Sequence, residues 1–425
     1  MEAECYHALM RKGDLSELFR DSLVSMRSLI AGIVLMMALF GCATVPRFPI
    51  ENPYGTLEGA TVGEVVHVST GIKLTKAQLL DVIGGSRVIY VGETHDNVCA
   101  HQVQLEVIKG LVERFPGKVA VGMEVFQRSY QEAMDQWSRG ELSEREFLKR
   151  SGWYSNWGMD YGYYRPILEY IREGHIPLLA LNAPADLVKE VRRRGLGGLS
   201  KDWQDTLPTM DLSDPHHRKL VEAFYQAHPP TSAKSFDAFY QVYVLWDETM
   251  AETVAHYLAT DEGRHKKVVV LAGGNHVRYG LGIPRRAFRR LPAAYTIVLP
   301  TEVSIPEDKK DRLMDVNLPD IPLAPAEFYW MVAYEDLKGK SVRLGVMFEE
   351  SSGNLEVTKV VDGSLAAAAG VQPGDILVSL DGEGLSESFD LLYLLSQKRP
   401  GDMGRLVIQR KNESLEMALR FKASQ

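Results

Sequence analysis

Internal disulfides are excluded first. The 425-residue chain has three cysteines, Cys5, Cys42 and Cys99. The first two fall within or at the end of an N-terminal segment that reads as a removable leader, so Cys99 is left without a partner in the same chain. The protein must be held by its core, and Cys99 is expected to be a small buried apolar residue. A basic excess is also missing. Lys and Arg number 48 against 56 Asp and Glu, a net charge of −8, so nothing offsets a phosphate backbone and nucleic acid is not expected as a partner. Arg192 to Arg194, and Arg285 and Arg286 with Arg289 and Arg290, are expected to be solvated faces. Histidines at helical metal-ligand spacing are lacking too. His216, His217 and His228 share one region, but the first two are neighbours, so one helix face cannot present both.

A chain of this length is expected to form two or more domains, and its 45% hydrophobic and 24% charged residues are ordinary for globular protein. Met26 to Cys42, MRSLIAGIVLMMALFGC, has an early Arg and an apolar core short for a span of about 20 residues. It reads as a secretory signal, and Leu39-Phe40-Gly41-Cys42 resembles the lipobox of bacterial lipoproteins. That resemblance implies cleavage before Cys42 and lipidation of its thiol. Residues 1–25 fit no signal n-region, and Met26 is the expected start of translation. Without residues 1–41 there remain 44 basic and 51 acidic residues, so the exclusion of nucleic acid stands. Residues 42–64 are then a tether. Ala43, not Asp, stands after the cysteine, so the expected location is a lipid-anchored, periplasm-facing position in a bacterial envelope, at the outer rather than the inner membrane.

The rest of the chain is organised around two stretches, RVIYVGETH ending at His95 and VVVLAGGNH ending at His276. Each is a short β-branched run that stops at Gly and presents a His three positions on. Such a run reads as a strand buried on both faces. The residues after the Gly lie at the strand's carboxyl end, where open α/β sheets place ligand sites. Glu93 comes with the first strand, Glu124 ends a third, VAVGMEVF, and Asn182 ends a fourth, IPLLALN. These residues are expected to share one rim.

Between the strands, TKAQLLDVI reads as a helix capped by Thr75, and Asp96 or Asn97 caps a second helix bearing His101, which is expected to be solvated. Phe126 to Trp137 reads as a helix. Trp153 to Tyr170 is crowded with Trp and Tyr, which either pack a core or line a slot for a flat apolar ligand. In the long helix from Ser235, Asp247 is expected to be a surface charge. Thr301 to Pro325 reads as a surface loop, and Glu327 to Tyr334 as the last strand before the grammar changes.

From Ser341 short strands alternate apolar and polar residues. Leu344-Gly345-Val346, Asp362-Gly363-Ser364 through Ala369-Gly370, Gly374-Asp375-Ile376-Leu377 and Asp381-Gly382 occur in the order and spacing of a PDZ domain, which residues 341–421 resemble. The resemblance implies that Leu344, Gly345 and Val346 receive a peptide carboxylate, and that Asp390 to Lys398 forms the groove-lining helix. A protein or peptide C-terminus is the implied partner.

Gly92-Glu93-Thr94-His95, Glu124-Val125-Phe126, Leu181-Asn182-Ala183-Pro184, Trp246-Asp247, and Gly273 to His276 with Gly282-Ile283-Pro284 together resemble the ChaN-type haem-binding lipoproteins. These belong to the wider Tiki/TraB and erythromycin-esterase superfamily. The resemblance, over residues 65–335, implies an α/β fold with a mainly parallel sheet flanked by helices. It also implies haem as cofactor and a role in haem and iron uptake. Haem needs an apolar aromatic slot with an axial His or Tyr. The candidates are Glu93, His95, Glu124, Asn182, His276, Tyr161 and Tyr164, with no axial ligand singled out by spacing. The alternative is a hydrolase using Glu93, His95, Glu124 and His276, with a divalent metal such as zinc on His95, His276 and Glu124 or with His as general base. A PDZ scaffold without catalysis is the third reading.

Overall fold

The computed structural model describes residues 59–227, 235–307, 318–337 and 341–423. Cys42, the apolar run before it and His228 lie outside the described residues. Eight strands form one sheet: β1 Val65–His67, β2 Lys73–Leu74, β3 Val88–Glu93, β4 Val119–Gln127, β5 Leu178–Asn182, β6 Lys267–Gly273, β7 Tyr295–Glu302 and β8 Phe328–Val332. Their order is β2-β1-β8-β7-β3-β6-β4-β5. The six strands from β8 to β5 run parallel, and β1 and β2 close one edge antiparallel. The mainly parallel sheet is the expected one. The short antiparallel edge carries too few residues to announce itself in sequence.

Period-two alternation sends successive side chains to opposite faces, and here both faces are covered. Ile89, Val91, Val121, Met123, Val269 and Leu271 pack under one helical layer. That layer consists of α1 Lys76–Ile83, α2 Val98–Arg114, α3 Gln131–Ser138, α4 Glu144–Arg150, α5 Trp153–Asn156 and α6 Arg165–Glu173. Val88, Tyr90, Val268, Val270 and Leu299 pack on the other face. Its layer holds α7 Ala185–Arg194, α8 Lys201–Asp205, α9 Pro215–Ala227, α10 Phe236–Ala259, α11 Gly274–Val277 and α12 Ile283–Arg290. Burial on both faces explains why all six residues of β3 are buried and read as an uninterrupted apolar run.

Local signals hold where the chain makes caps. Thr75 accepts from Gln78 N in a full capping box before α1. Asn97 accepts from Cys99 N at the start of α2, and its amide nitrogen ties Glu302 and the Ala333 carbonyl to that turn. The helix expected from Phe126 begins later, because β4 runs on to Gln127 and a 3₁₀ turn intervenes before α3. Cys99 is half-buried rather than buried. The Arg cluster on α12 is not a solvated face. Arg286 is 1% exposed, and Arg286, Arg289 and Arg290 all close on the buried Glu248.

The C-terminal module is an antiparallel sheet of β9 Val346–Ser351, β10 Asn354–Val360, β11 Ile376–Leu380, β12 Glu383–Gly384, β13 Met403–Arg410 and β14 Glu413–Arg420. It carries the helices α13 Leu365–Ala369 and α14 Ser388–Ser396. The path runs β14-β13-β11-β10-β9, with β12 on β11, so β9 is an edge strand. Among the described residues no helix is long and apolar enough to cross a membrane.

Candidate functional site

The two Gly-x-x-His strands are immediate neighbours: β3 pairs with β6 in parallel, Glu93 facing Gly273 in the register. Both therefore deliver their histidines at the same end of the sheet. In β4 the pairing with β5 shifts register between Met123 and Gln127, and the irregularity aims the Glu124 carboxylate at the β6 exit, where its Oε2 accepts from Gly273 N at 2.6 Å. A bulge of this kind re-aims a side chain without ending the strand.

Around Glu93 the groups form one hydrogen-bonded cluster. Its Oε1 accepts from His95 Nδ1 at 2.6 Å and from the Tyr164 hydroxyl at 2.7 Å. Its Oε2 accepts from Gln104 Nε2 at 2.7 Å. His101 is not solvated: it is 3% exposed, with Nδ1 3.6 Å from Glu93 Oε2 and Nε2 donating to the His95 carbonyl at 3.0 Å. Its register signals the inward side, since it stands four and seven residues before Leu105 and Ile108 on α2, and its partners there are polar rather than apolar. Burial works to raise the Glu93 carboxyl, but the charge of His101 and the bond and charge of His95 bring it down to about 2. Burial works against charge on His95, yet the Glu93 bond, with Glu93, Glu124 and Asp96 nearby, raises its imidazole to about 9. The His95 side chain keeps 32% exposure, and Trp157 stands edge-on to its ring at 5.1 Å.

The second histidine is built the same way. His276 Nδ1 donates to Asp247 Oδ1 at 2.7 Å, and its Nε2 lies 3.4 Å from Glu124 Oε1. Asp247, expected at the surface, is fully buried. Its other oxygen accepts from His217 Nε2 at 2.9 Å. Burial opposes the charge on Asp247, but His276 and His217 hold its carboxyl well below the usual range. Burial likewise opposes charge on His276, and Glu124 and Asp247 outweigh it, raising the imidazole. His217 goes the other way, lowered by burial, with Arg286 Nη2 3.3 Å from its Nδ1. Tyr243 stacks on the His276 ring at 4.6 Å. Two glycines permit close approaches here. A Cβ on Gly273 would sit 3.1 Å from the His95 ring, and one on Gly282 would sit 2.1 Å from the His276 carbonyl oxygen.

Of the residues singled out in sequence, Glu93, His95, Glu124 and His276 therefore gather at one rim. Asn182 is at the same end of the sheet, but its side chain is engaged by backbone, donating to the Glu124 carbonyl and accepting from Ala183 N. Tyr164 joins the cluster as a fully buried support for Glu93. Tyr161 is 2% exposed and packs on Trp153 at 5.3 Å, within the core. The metal triad expected from His95, His276 and Glu124 is not formed: among the described residues no group of three or more His, Cys, Asp or Glu is placed to hold a metal ion. Nδ1 of each histidine and one Glu124 oxygen are engaged by neighbouring groups. His101 and His217 are the functional neighbours that sequence reasoning missed, and Asp247, matched with Trp246 in the ChaN-type resemblance, is buried at the site rather than at the surface. In the C-terminal module Leu344 is buried in the core, Gly345 turns with φ +82°, and Val346 opens the edge strand β9.

A mainly parallel sheet with carboxylate-oriented histidines at its carboxyl rim, joined to a small β module with an open edge, defines a two-module α/β protein. Residues 79–287 match the family model described as haem-binding uptake, Tiki superfamily, ChaN, and residues 342–420 match the PDZ domain. The chain thus carries a ChaN-type domain of the Tiki superfamily and a PDZ domain after it. Over 266 residues it is 25% identical to the protein RETICULATA-RELATED 5, chloroplastic, of Arabidopsis thaliana, covering 57% of this chain and 34% of that protein. Over 88 residues it is 30% identical to a probable periplasmic serine endoprotease DegP-like of Hahella chejuensis, covering 18% of this chain and 19% of that one. The chain therefore spans about a third and about a fifth of these curated relatives' lengths. A solved structure described as cofacial heme binding to ChaN of Campylobacter jejuni is similar at 15% identity and a TM-score of 0.48, covering 64% of this chain and 96% of that one. The HtrA-type protease AlgW with decapeptide is similar over 20% of this chain and 30% of that one, at 18% identity and a TM-score of 0.20.

Proposed function

We propose that the protein is a haem-binding lipoprotein of a bacterial envelope that serves haem and iron uptake, with His95 as the residue that would hold the haem iron and the PDZ module as a docking site for a protein C-terminus. The observation that carries this reading is the state of His95. Glu93 takes its Nδ1, which orients the ring and leaves Nε2 as the nitrogen for a ligand bond, and the ring is the most exposed part of the cluster. An imidazole whose second nitrogen is held by a carboxylate is a well-oriented iron ligand, and Trp157 offers an aromatic surface beside it. Tyr164 and Tyr161 are too deeply buried to serve. Bound haem would supply an iron centre for coordination; the chain's own residues orient the ligand and hold its proton.

Haem binding also has a pH signature. His95 is raised to about 9, and a ligand nitrogen must shed its proton to bind iron. Affinity is therefore expected to rise with pH up to about 9 and then level off, by at most about tenfold per unit. The check is a Soret titration of the full chain with ferric haem between pH 6 and 10, beside metal analysis of the untreated protein. A pH-independent affinity, or no Soret shift at micromolar haem, would defeat the proposal.

One observation favours a second reading. Glu124 lies between two carboxylate-backed imidazoles, an arrangement suited to activating water with His276 as general base. Ester or peptide cleavage abolished by His276→Ala, in protein that gives no Soret shift, would establish the hydrolase instead.

Envelope attachment rests on Leu39 to Cys42. A Cys42→Ser protein is expected to move from the membrane to the soluble fraction on cell fractionation, and wild-type partitioning would refute lipid anchoring.

A further inference from the structure

The PDZ module is clasped to the site domain through the helix expected to line its groove. Arg145 on α4 donates to Asp390 Oδ1 at 2.8 Å, stands 3.5 Å from Glu383 Oε2 and lies over the Tyr393 ring at 5.3 Å. Lys149, one turn further along α4, pairs with Glu387. Phe389 on α14 meets Tyr154 on α5 at 5.8 Å and is buried in the site domain's core cluster rather than the module's own. Phe389 and Tyr393, four residues apart, share the face of α14 turned to the site domain. Leu391 and Leu395 belong to the module's own core. Leu392 stays 37% exposed, and the start of the helix is tied to the edge strand β9 where Glu350 accepts from Ser388 N at 2.9 Å.

From α5 the contact continues directly to the rim. Tyr154 lies on α5, and Trp157, which caps that helix by donating its N–H to the Trp153 carbonyl, stands edge-on to His95. Trp153, on the same turn, contacts Tyr164 at 5.3 Å, and the Tyr164 hydroxyl holds Glu93. A displacement of α14 thus reaches both members of the His95–Glu93 pair through one four-residue helix. Tightly packed aromatic contacts of this kind transmit shifts because neither side can relax without moving the other.

We propose that a peptide with a free, apolar C-terminus bound between β9 and α14 acts on the His95 rim through the Arg145 clasp and α5. The proposal rests on the peptide-docking reading of the PDZ module. An extended peptide adding to the β9 edge packs against α14, so it presses on the helix that Arg145, Lys149 and Tyr154 fix to α4 and α5. Occupancy of the groove and the setting of the rim are then linked, and the linkage is reciprocal.

The test uses the full chain without haem and a decapeptide ending in valine with a free carboxylate. Fluorescence anisotropy reads its binding, and hydrogen exchange with mass spectrometry reads residues 153–164. The expected result is binding together with a change of about fivefold in exchange across 153–164. A double variant, Arg145→Ala with Lys149→Ala, is expected to bind the peptide and lose that remote change. If the double variant does not fold, Tyr154→Leu removes the Phe389 contact alone and is expected to weaken the same response. Absence of peptide binding overturns the proposal and the docking reading together. Binding with no change at 153–164, or with the same change in the variants, overturns the linkage alone. Haem takes no part, so the haem titration stands or falls separately.

Discussion

A His95→Ala protein is expected to bind ferric haem about a hundredfold more weakly than the wild type and to lose its characteristic Soret maximum. The expectation arises from how few groups at the rim are both accessible and free to bind. Tyr164 and Glu93 are bonded to one another within the buried cluster. His276 has Asp247 on Nδ1 and Glu124 beside Nε2. His95 alone combines a carboxylate-held Nδ1 with substantial exposure. Glu93→Gln keeps the shape of the support but removes its charge, so it is expected to fall between the two, about tenfold weaker than wild type. Circular dichroism and thermal melting separate loss of the ligand from loss of the fold. Wild-type affinity in a folded His95→Ala protein would transfer the role to another residue.

Asp247→Ala is expected to cost about 3–5 kcal/mol of stability in urea unfolding. Asp247 is wholly buried and joins two imidazoles, His276 at 2.7 Å and His217 at 2.9 Å, so its loss strands two buried donors and a charge partner. Asp247→Asn retains one acceptor and is expected to lose roughly half as much. Asp247 also helps to raise the His276 imidazole, so both variants are expected to bring the His276 titration downward, which the imidazole resonances report by NMR. A stability loss under about 1 kcal/mol would show that the His217–Asp247–His276 chain is not a structural support of the rim.

Which features are legible in the sequence depends on what periodicity encodes. Strands buried on both faces read as apolar runs, so β3, β4, β5 and β6 and their carboxyl ends are visible, and with them Glu93, His95, Glu124 and His276. The PDZ module is visible because turn residues recur at fixed offsets. Polar residues turned inward on helices are not. His101 falls in register with Leu105 and Ile108, and Asp247 with Tyr243 and Met250; their polar type argues for solvent against that register, and only the tertiary structure supplies the Glu93, His276 and His217 partners that compensate their burial. The Arg286–Glu248 clamp escapes for the same reason: a run of arginines reads as a solvated face until a buried carboxylate is found beneath it.

The most direct test of the account is the identity of the atom on the haem iron. Pulsed electron paramagnetic resonance of the ferric complex of the full chain, prepared with and without ¹⁵N-labelled histidine, reports whether a histidine nitrogen is coordinated. The account predicts a histidine-nitrogen hyperfine coupling that changes on labelling and disappears in the His95→Ala protein. A ferric complex with no histidine-nitrogen coupling, or one whose coupling persists unchanged without His95, would contradict it.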